Sequence, residues 1–243
     1  MKYRQFYHTA IQFGSFIGLL YAVFFASASL WWWGISLAVS FVLAMYGMSI
    51  AYHHGVCHGT FRFSRPVQLL LYWVGMQATL HPPRSWAIAH YAHHVYVDTE
   101  HDPHSPKHKG WKALFFWYHR VTKYERKHAL VFKRLFKDKV IDWLETPIGY
   151  WSVMLSLPLL VFAVAGGNGL LFVWLIPNAY MITTSLIFTY AHDNETGAKK
   201  SPWLHLFSFG DGDHKQHHNT WNHVGKFHVF CANLIGNRNG VYV

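Results

Sequence analysis

Two long stretches of the chain contain no Asp, Glu, Lys or Arg: 57 residues from Gln5 to Phe61 and 47 from Thr146 to His192. A membrane-spanning helix takes about 20 mostly apolar residues, so each stretch has room for two helices and a tight turn. The pattern predicts spans over residues 11–30 and 32–52, turning near Trp31–Trp33, and over residues 148–165 and 169–190, turning at Gly166-Gly167-Asn168. A charge at the centre of such a helix costs about 2.5–3.5 kcal/mol or more, which explains the gaps. Val67–Leu80 is apolar but short and bracketed by Arg65-Pro66 and Pro82-Pro83-Arg84. It reads as an interfacial or re-entrant helix, since a span there would put the histidines on either side of it on opposite faces of the membrane.

Charge supplies the orientation. All 21 Lys and Arg fall at the N-terminal tip, in Arg62–Lys139 or in Lys199–Arg238, and neither turn carries one. The positive-inside bias places those three segments in the cytoplasm. The expected fold is therefore all-α and integral to the membrane: four transmembrane helices in two hairpins, with a cytoplasmic helical cap formed by residues 53–147 and 191–243. The whole chain, residues 1–243, reads as one domain. Ala26-Ser27-Ala28 resembles a signal-peptide cleavage site, but the apolar run continues past it into a second span, so no cleavage is expected. The net charge of +10 comes with no basic stripe or recognition motif and implies no nucleic-acid partner. Cys57 and Cys231 provide no disulfide framework.

The candidate chemistry lies in the histidines. Three clusters follow predicted span ends or the re-entrant helix: His53-His54 with His58, His90 with His93 and His94, and His214 with His217 and His218; His192 marks the end of the fourth span. On an α-helix, positions i, i+3 and i+4 share one face, so the second and third clusters each project three imidazoles together. His53 and His58 are about 140° apart on an α-helix; they chelate together only with help from a helix end, or else serve different metals. Neutral imidazole suits iron, zinc and copper. Eight or nine imidazoles exceed one coordination shell, which indicates two metals. His8, His81 and His128 read as structural residues.

These motifs resemble the membrane fatty acid desaturase superfamily, whose signature is three cytoplasmic histidine boxes after paired transmembrane helices. H-x(4)-H followed by two H-x-x-H-H boxes is most similar to its stearoyl-CoA (delta-9) branch; related hydroxylases more often begin with H-x(3)-H. Asp102-Pro103-His104, Gly110 with the aromatic run 114–119, and Gly210-Asp211-Gly212-Asp213 resemble further segments of that branch. The resemblance implies an O2-dependent desaturase that places a cis double bond in a saturated acyl chain. It implies two iron ions on His53, His58, His90, His93, His94, His192, His214, His217 and His218. His54, Asn194, Asp102 and His104 are additional ligands or supports. One departure is Phe188, which replaces the Asn that the branch often carries four residues before the extra histidine; Asn194 or solvent is then expected to complete that shell. Arg84, Trp86, Tyr91, Trp111 and Trp221 are candidate substrate contacts. The substrate carrier is coenzyme A, acyl carrier protein or a glycerolipid. The chain contains no H-P-G-G motif of cytochrome b5, so a separate donor of ferredoxin or cytochrome b5 type is expected.

Two rivals remain. A hydroxylase or ketolase of the same superfamily, acting on fatty acids, alkanes, sterols or carotenoids, would use the same ligands. A membrane metal transporter would need polar residues inside the spans, where this chain has little beyond Ser, Thr and Asn178.

Overall fold

The computed structural model describes residues 2–103, 105–110, 132–190, 192–193, 197–198 and 202–239. Helix α1 runs from Lys2 to Phe24. After residues 25–29, α2 (Leu30–Phe41) continues without a break into a π-helix, Val42–Cys57. The turn between the first two helices thus falls before the tryptophan run, and Trp31–Trp33 begin α2. The small residues Ala26, Ser27 and Ala28 occupy the turn, and Ser29 is the extended N-cap. Trp32 and Trp33 pack on Phe172, with ring centroids at 5.9 and 5.1 Å.

Helices α3 (Arg65–Gln77) and α4 (Pro83–Tyr96) follow, then the short α5 (Pro106–Lys109) and α6 (Lys139–Leu144). Helix α3 has one buried face, including Leu71, Tyr72 and Met76, while Leu70 is exposed, as expected of a surface-lying amphipathic helix. Asp138 caps α6 by accepting from the backbone N–H groups of Val140 and Ile141, and it binds Arg65 through two bonds of 2.6 and 2.7 Å. The N-terminus of α4 is held by Glu145, whose carboxylate accepts from the backbone and hydroxyl of Ser85.

Helix α7 (Pro147–Leu170), a short π-helical turn (Leu171–Leu175) and α8 (Ile176–Tyr190) form one helical run interrupted at Gly166, where φ is 58° and ψ is −146°. Gln77 shows that the run is bent back on itself. Its amide donates to Val153 O (2.6 Å), and its own backbone carbonyl accepts from Asn178 (3.1 Å). On a straight helix Val153 and Asn178 would be about 37 Å apart; both reach one residue because the chain reverses near Gly166, as the glycine pair predicts. The stretches Leu30–Cys57 and Pro147–Thr184 are long and apolar enough to cross a membrane, and Thr9–Phe24 is a shorter apolar helix.

A two-residue antiparallel pairing, β1 (His192–Asp193) with β2 (Gly197–Ala198), follows α8. Three short helices close the chain: α9 (Pro202–Phe207), α10 (His214–Asn219) and α11 (Lys226–Leu234). The main core gathers Tyr52, Met76, Trp86, Ile141, Tyr150 and Met154 between the π-helix, α3, α4, α6 and α7. Among the described residues the regular structure is otherwise helical, in agreement with the all-α expectation.

Candidate metal centre

The first histidine box lies on the π-helix, and the winding decides its geometry. A π-helix bonds residue i to i+5, so positions five apart fall close to one face instead of diverging as on an α-helix. His58 N donates to His53 O at 3.0 Å, and the two imidazole centroids are 4.9 Å apart. The two histidines therefore point to the same place, which α-helical geometry had left open. Arg134 finishes the π-helix: its guanidinium donates to Val56 O at 3.0 Å and reaches Gly55 O at 3.5 Å, filling acceptors left open at a helix end. Nothing in the pattern of basic residues singled out this arginine.

Helix α4 brings His90, His93 and His94 to the same place, and α10 brings His217 and His218. His53 Nε2 lies 2.7 Å from His217 Nε2, which lies 3.2 Å from His94 Nε2, which lies 3.0 Å from His90 Nε2. His53, His58, His90, His94 and His217 each offer a nitrogen to one group in which all five atoms lie within 4.8 Å of one another. His53, His54 and Asp211 form a second such group. The rest of the boxes stand beside the first group: the His218 ring is 4.5 Å from His94, 5.1 Å from His93 and 4.5 Å from His214.

Outer contacts orient the rings. Asp102, with no exposed surface, lies 3.0 Å from His93 Nδ1 through both carboxylate oxygens and also accepts from Asp98 N. That carboxylate can only accept, so it orients the ring through Nδ1–H, the usual support for a metal-bound histidine. His217 Nδ1 donates to His223 O at 3.3 Å, which leaves its Nε2 lone pair pointing inward. Asp211 receives Ser49 Oγ at 3.3 Å and lies 3.2 Å from His228 Nε2. Trp86 stacks on His90 (4.6 Å, 14°), and Trp221 sits 5.2 Å from His94 and 5.4 Å from Tyr91. Arg84 is engaged by Asp142 and rests on the ring of Phe136 at 4.6 Å, so its charge has partners within the fold. The placements of His104, Trp111 and Asn194, and the side chains of Phe188 and His192, lie outside the described residues.

Burial and crowding keep the imidazoles neutral. Burial pushes His58 down to about 3 and His217 down to about 4, with each neighbouring imidazole opposing a further charge. His90 and His94 lie well below the ordinary histidine range for the same reasons. Buried nitrogens without hydrogen-bond partners include His54 Nδ1, His58 Nε2 and His94 Nδ1. Converging neutral nitrogens that lack partners are costly unless something binds them, and neutral imidazole is a ligand for transition metals. The donor set fits a metal site.

The fatty acid desaturase family model matches residues 30–239. The chain is 26% identical over 231 residues to the hex-5-enoyl-acyl-carrier protein acetylenase of Moorena producens (strain JHB), covering 81% of this chain and 71% of that protein. It is 25% identical over 222 residues to the acyl-CoA 5-desaturase AL21 of Anemone leveillei, covering 87% and 68%. It is likewise 25% identical over 222 residues to the sn-1 stearoyl-lipid 9-desaturase of Anabaena variabilis, covering 87% and 80%. With the motifs, the converging histidines and a match over most of its length, this chain belongs to the fatty acid desaturase family of oxidoreductases.

Proposed function

We propose that the protein is an O2-dependent acyl desaturase that introduces a cis double bond into a saturated chain at a two-iron, histidine-held centre. The observation that carries this reading is the convergence of five imidazole nitrogens, from all three boxes, within 4.8 Å of one another. His53, His58, His90, His94 and His217 hold one ion. His93, His214 and His218, with His192 in β1 after α8, serve the other, and His54 and Asp211 stand at the edge of the pair. When bound, the metal pair supplies the redox chemistry needed to take hydrogen from an unactivated methylene, which side-chain acids and bases cannot do. Overall, one CH2–CH2 unit, O2, two electrons and two protons become CH=CH and two waters.

The chain's own residues hold and shield. Asp102 keeps His93 in its ligand tautomer. Trp86, Trp221 and Tyr91 wall the histidines with apolar rings that exclude water and position an acyl chain, because placement along the chain decides which carbons react. The electrons come from a separate protein. The carrier belongs to the classes named for the relatives: acyl-CoA, acyl carrier protein or acyl-lipid. The reversal at Gly166 and the charge-free runs support four spans in two hairpins, with both termini and the boxes on the cytoplasmic side.

The test is mass analysis of fatty acid methyl esters from cells expressing the chain, with His94→Ala as control. New monounsaturated chains that disappear in the variant support the proposal and locate the bond. Products heavier by one oxygen reassign the chain to hydroxylation. An unchanged profile from protein that holds two irons and receives electrons would overturn the acyl substrate.

A further inference from the structure

The sequence places everything after residue 190 in the cytoplasm, beyond the ends of the spans. Two of the short helices there sit elsewhere. Phe209, just after α9, packs edge-on against Phe41 at 5.1 Å and lies 5.6 Å from Tyr180. The Tyr180 hydroxyl donates to Phe207 O at 2.6 Å. Phe227, in α11, lies 6.3 Å from Phe41. Phe41 precedes Tyr52 by 11 positions and Tyr180 precedes Tyr190 by 10, so both lie within the segments read as spans. Helices α9 and α11 therefore lie alongside the spanning helices.

Their outward faces are apolar. In α11, Val229, Cys231 and Ala232 pack inward against Met45 and Ile50. Phe227, Phe230 and Leu234 point outward, 46%, 58% and 65% exposed. In α9, Trp203, Leu206 and Phe207 are 68%, 63% and 45% exposed. The neighbouring surface of α2 and its continuation is of the same kind, with Leu37 and Val42 exposed. Helix α9 has no Asp, Glu, Lys or Arg, and α11 has only Lys226, at its first position. A lysine there can extend to lipid phosphates while its stem stays in the apolar layer.

Resting on the membrane-spanning reading above, we propose that α9 and α11 are seated in the bilayer leaflet on the metal-site side, with these six side chains in the boundary between headgroups and acyl chains. The occupant of the exposed face is phospholipid. Binding in this layer scales with the apolar area a helix face buries there, and continuity with the exposed face of α2 gives the same lipid surface to both. The segment bearing His214, His217 and His218 lies between α9 and α11 in the chain, so the third box hangs between two lipid-seated anchors.

The experiment uses the full chain with nitroxide attached at Phe230→Cys or, separately, Trp203→Cys, reconstituted into phosphatidylcholine vesicles. Cys57 and Cys231 are buried, and the unsubstituted chain serves as the labelling blank. Relaxation by lipid-soluble O2 is compared with relaxation by a water-soluble nickel chelate. The expected result is strong O2 relaxation with loss of nickel relaxation at both positions. Dominant nickel relaxation overturns the proposal, and so does low access to both agents with label–label coupling, which would mean a second copy of the chain covers this face. Leu159→Cys on α7 separates the two readings. If it too is nickel-accessible, the spanning reading fails. If it is O2-accessible while Phe230→Cys is not, only the seating of α9 and α11 fails.

Discussion

Asp102 and His93 form a buried acid–imidazole pair beside the metal centre. Replacing Asp102 by Asn keeps the volume but removes the charge that fixes the ring. We expect iron affinity to fall about 10- to 100-fold, measured by competitive chelator titration of purified protein, with helical content unchanged by circular dichroism. Protons compete for the same nitrogens. His58 and His217 titrate near 3 and 4 in the folded protein and near 6.5 when unfolded. Between those limits the unfolded state binds more protons, so stability rises with pH across that window. The metal-free protein should lose stability steadily as pH falls below about 6.5, read as a falling melting temperature; an acid-insensitive melt between pH 7 and pH 5 would contradict the buried neutral cluster. The five histidines that converge were legible in the sequence through their clustering into boxes. Asp102 was picked out in the sequence without its partner, and Asp211 only as part of a motif, since pairing depends on tertiary approach. Arg134 was not legible at all, because its role is to meet the carbonyls of a helix end far away in the chain.

At the scale of elements, α3 braces the first box. A methyl group on Gly75 would sit 2.3 Å from the Tyr52 ring, and Tyr52, fully buried, precedes His53 and meets Trp86 edge-on at 5.7 Å. Gly75→Ala must displace that ring. We expect a loss of about 1–3 kcal/mol, seen as a lower melting temperature, together with reduced iron content because the shift propagates to His53; wild-type melting and iron content would show that the packing gives way freely. The residue pattern found the apolar runs, the short bracketed helix that is α3 and the Gly166 reversal, since each follows from composition. It misplaced the first turn, where the tryptophans drew attention away from Ala26-Ser27-Ala28. It also missed the π-helix, because an i+5 ladder leaves no compositional mark when most neighbouring residues are apolar.

For the whole molecule, the proposed topology puts the two reversals in one compartment and the three boxes in the other. A cysteine at Asn168 in the unsubstituted background should react with a membrane-impermeant thiol reagent added outside intact cells. One at Lys215 should react only after permeabilisation. Equal labelling of both from outside would break the paired-hairpin topology. The family match covers residues 30–239, from the start of α2 to beyond α11. The boxes depend on the π-helix, α4 and α10 together, so truncation within any of them should abolish iron binding rather than weaken it.

The π-helix turns a count of letters into a measure of pitch. Four residues between two histidines on i+5 winding present the same face as three residues on i+4 winding. Deleting one residue between His53 and His58, with the local ladder tightening by one step, would keep both imidazoles aimed at the same point. The gap within a first box therefore records how tightly that segment is coiled, and two proteins with different gaps can offer one metal the same pair of ligands.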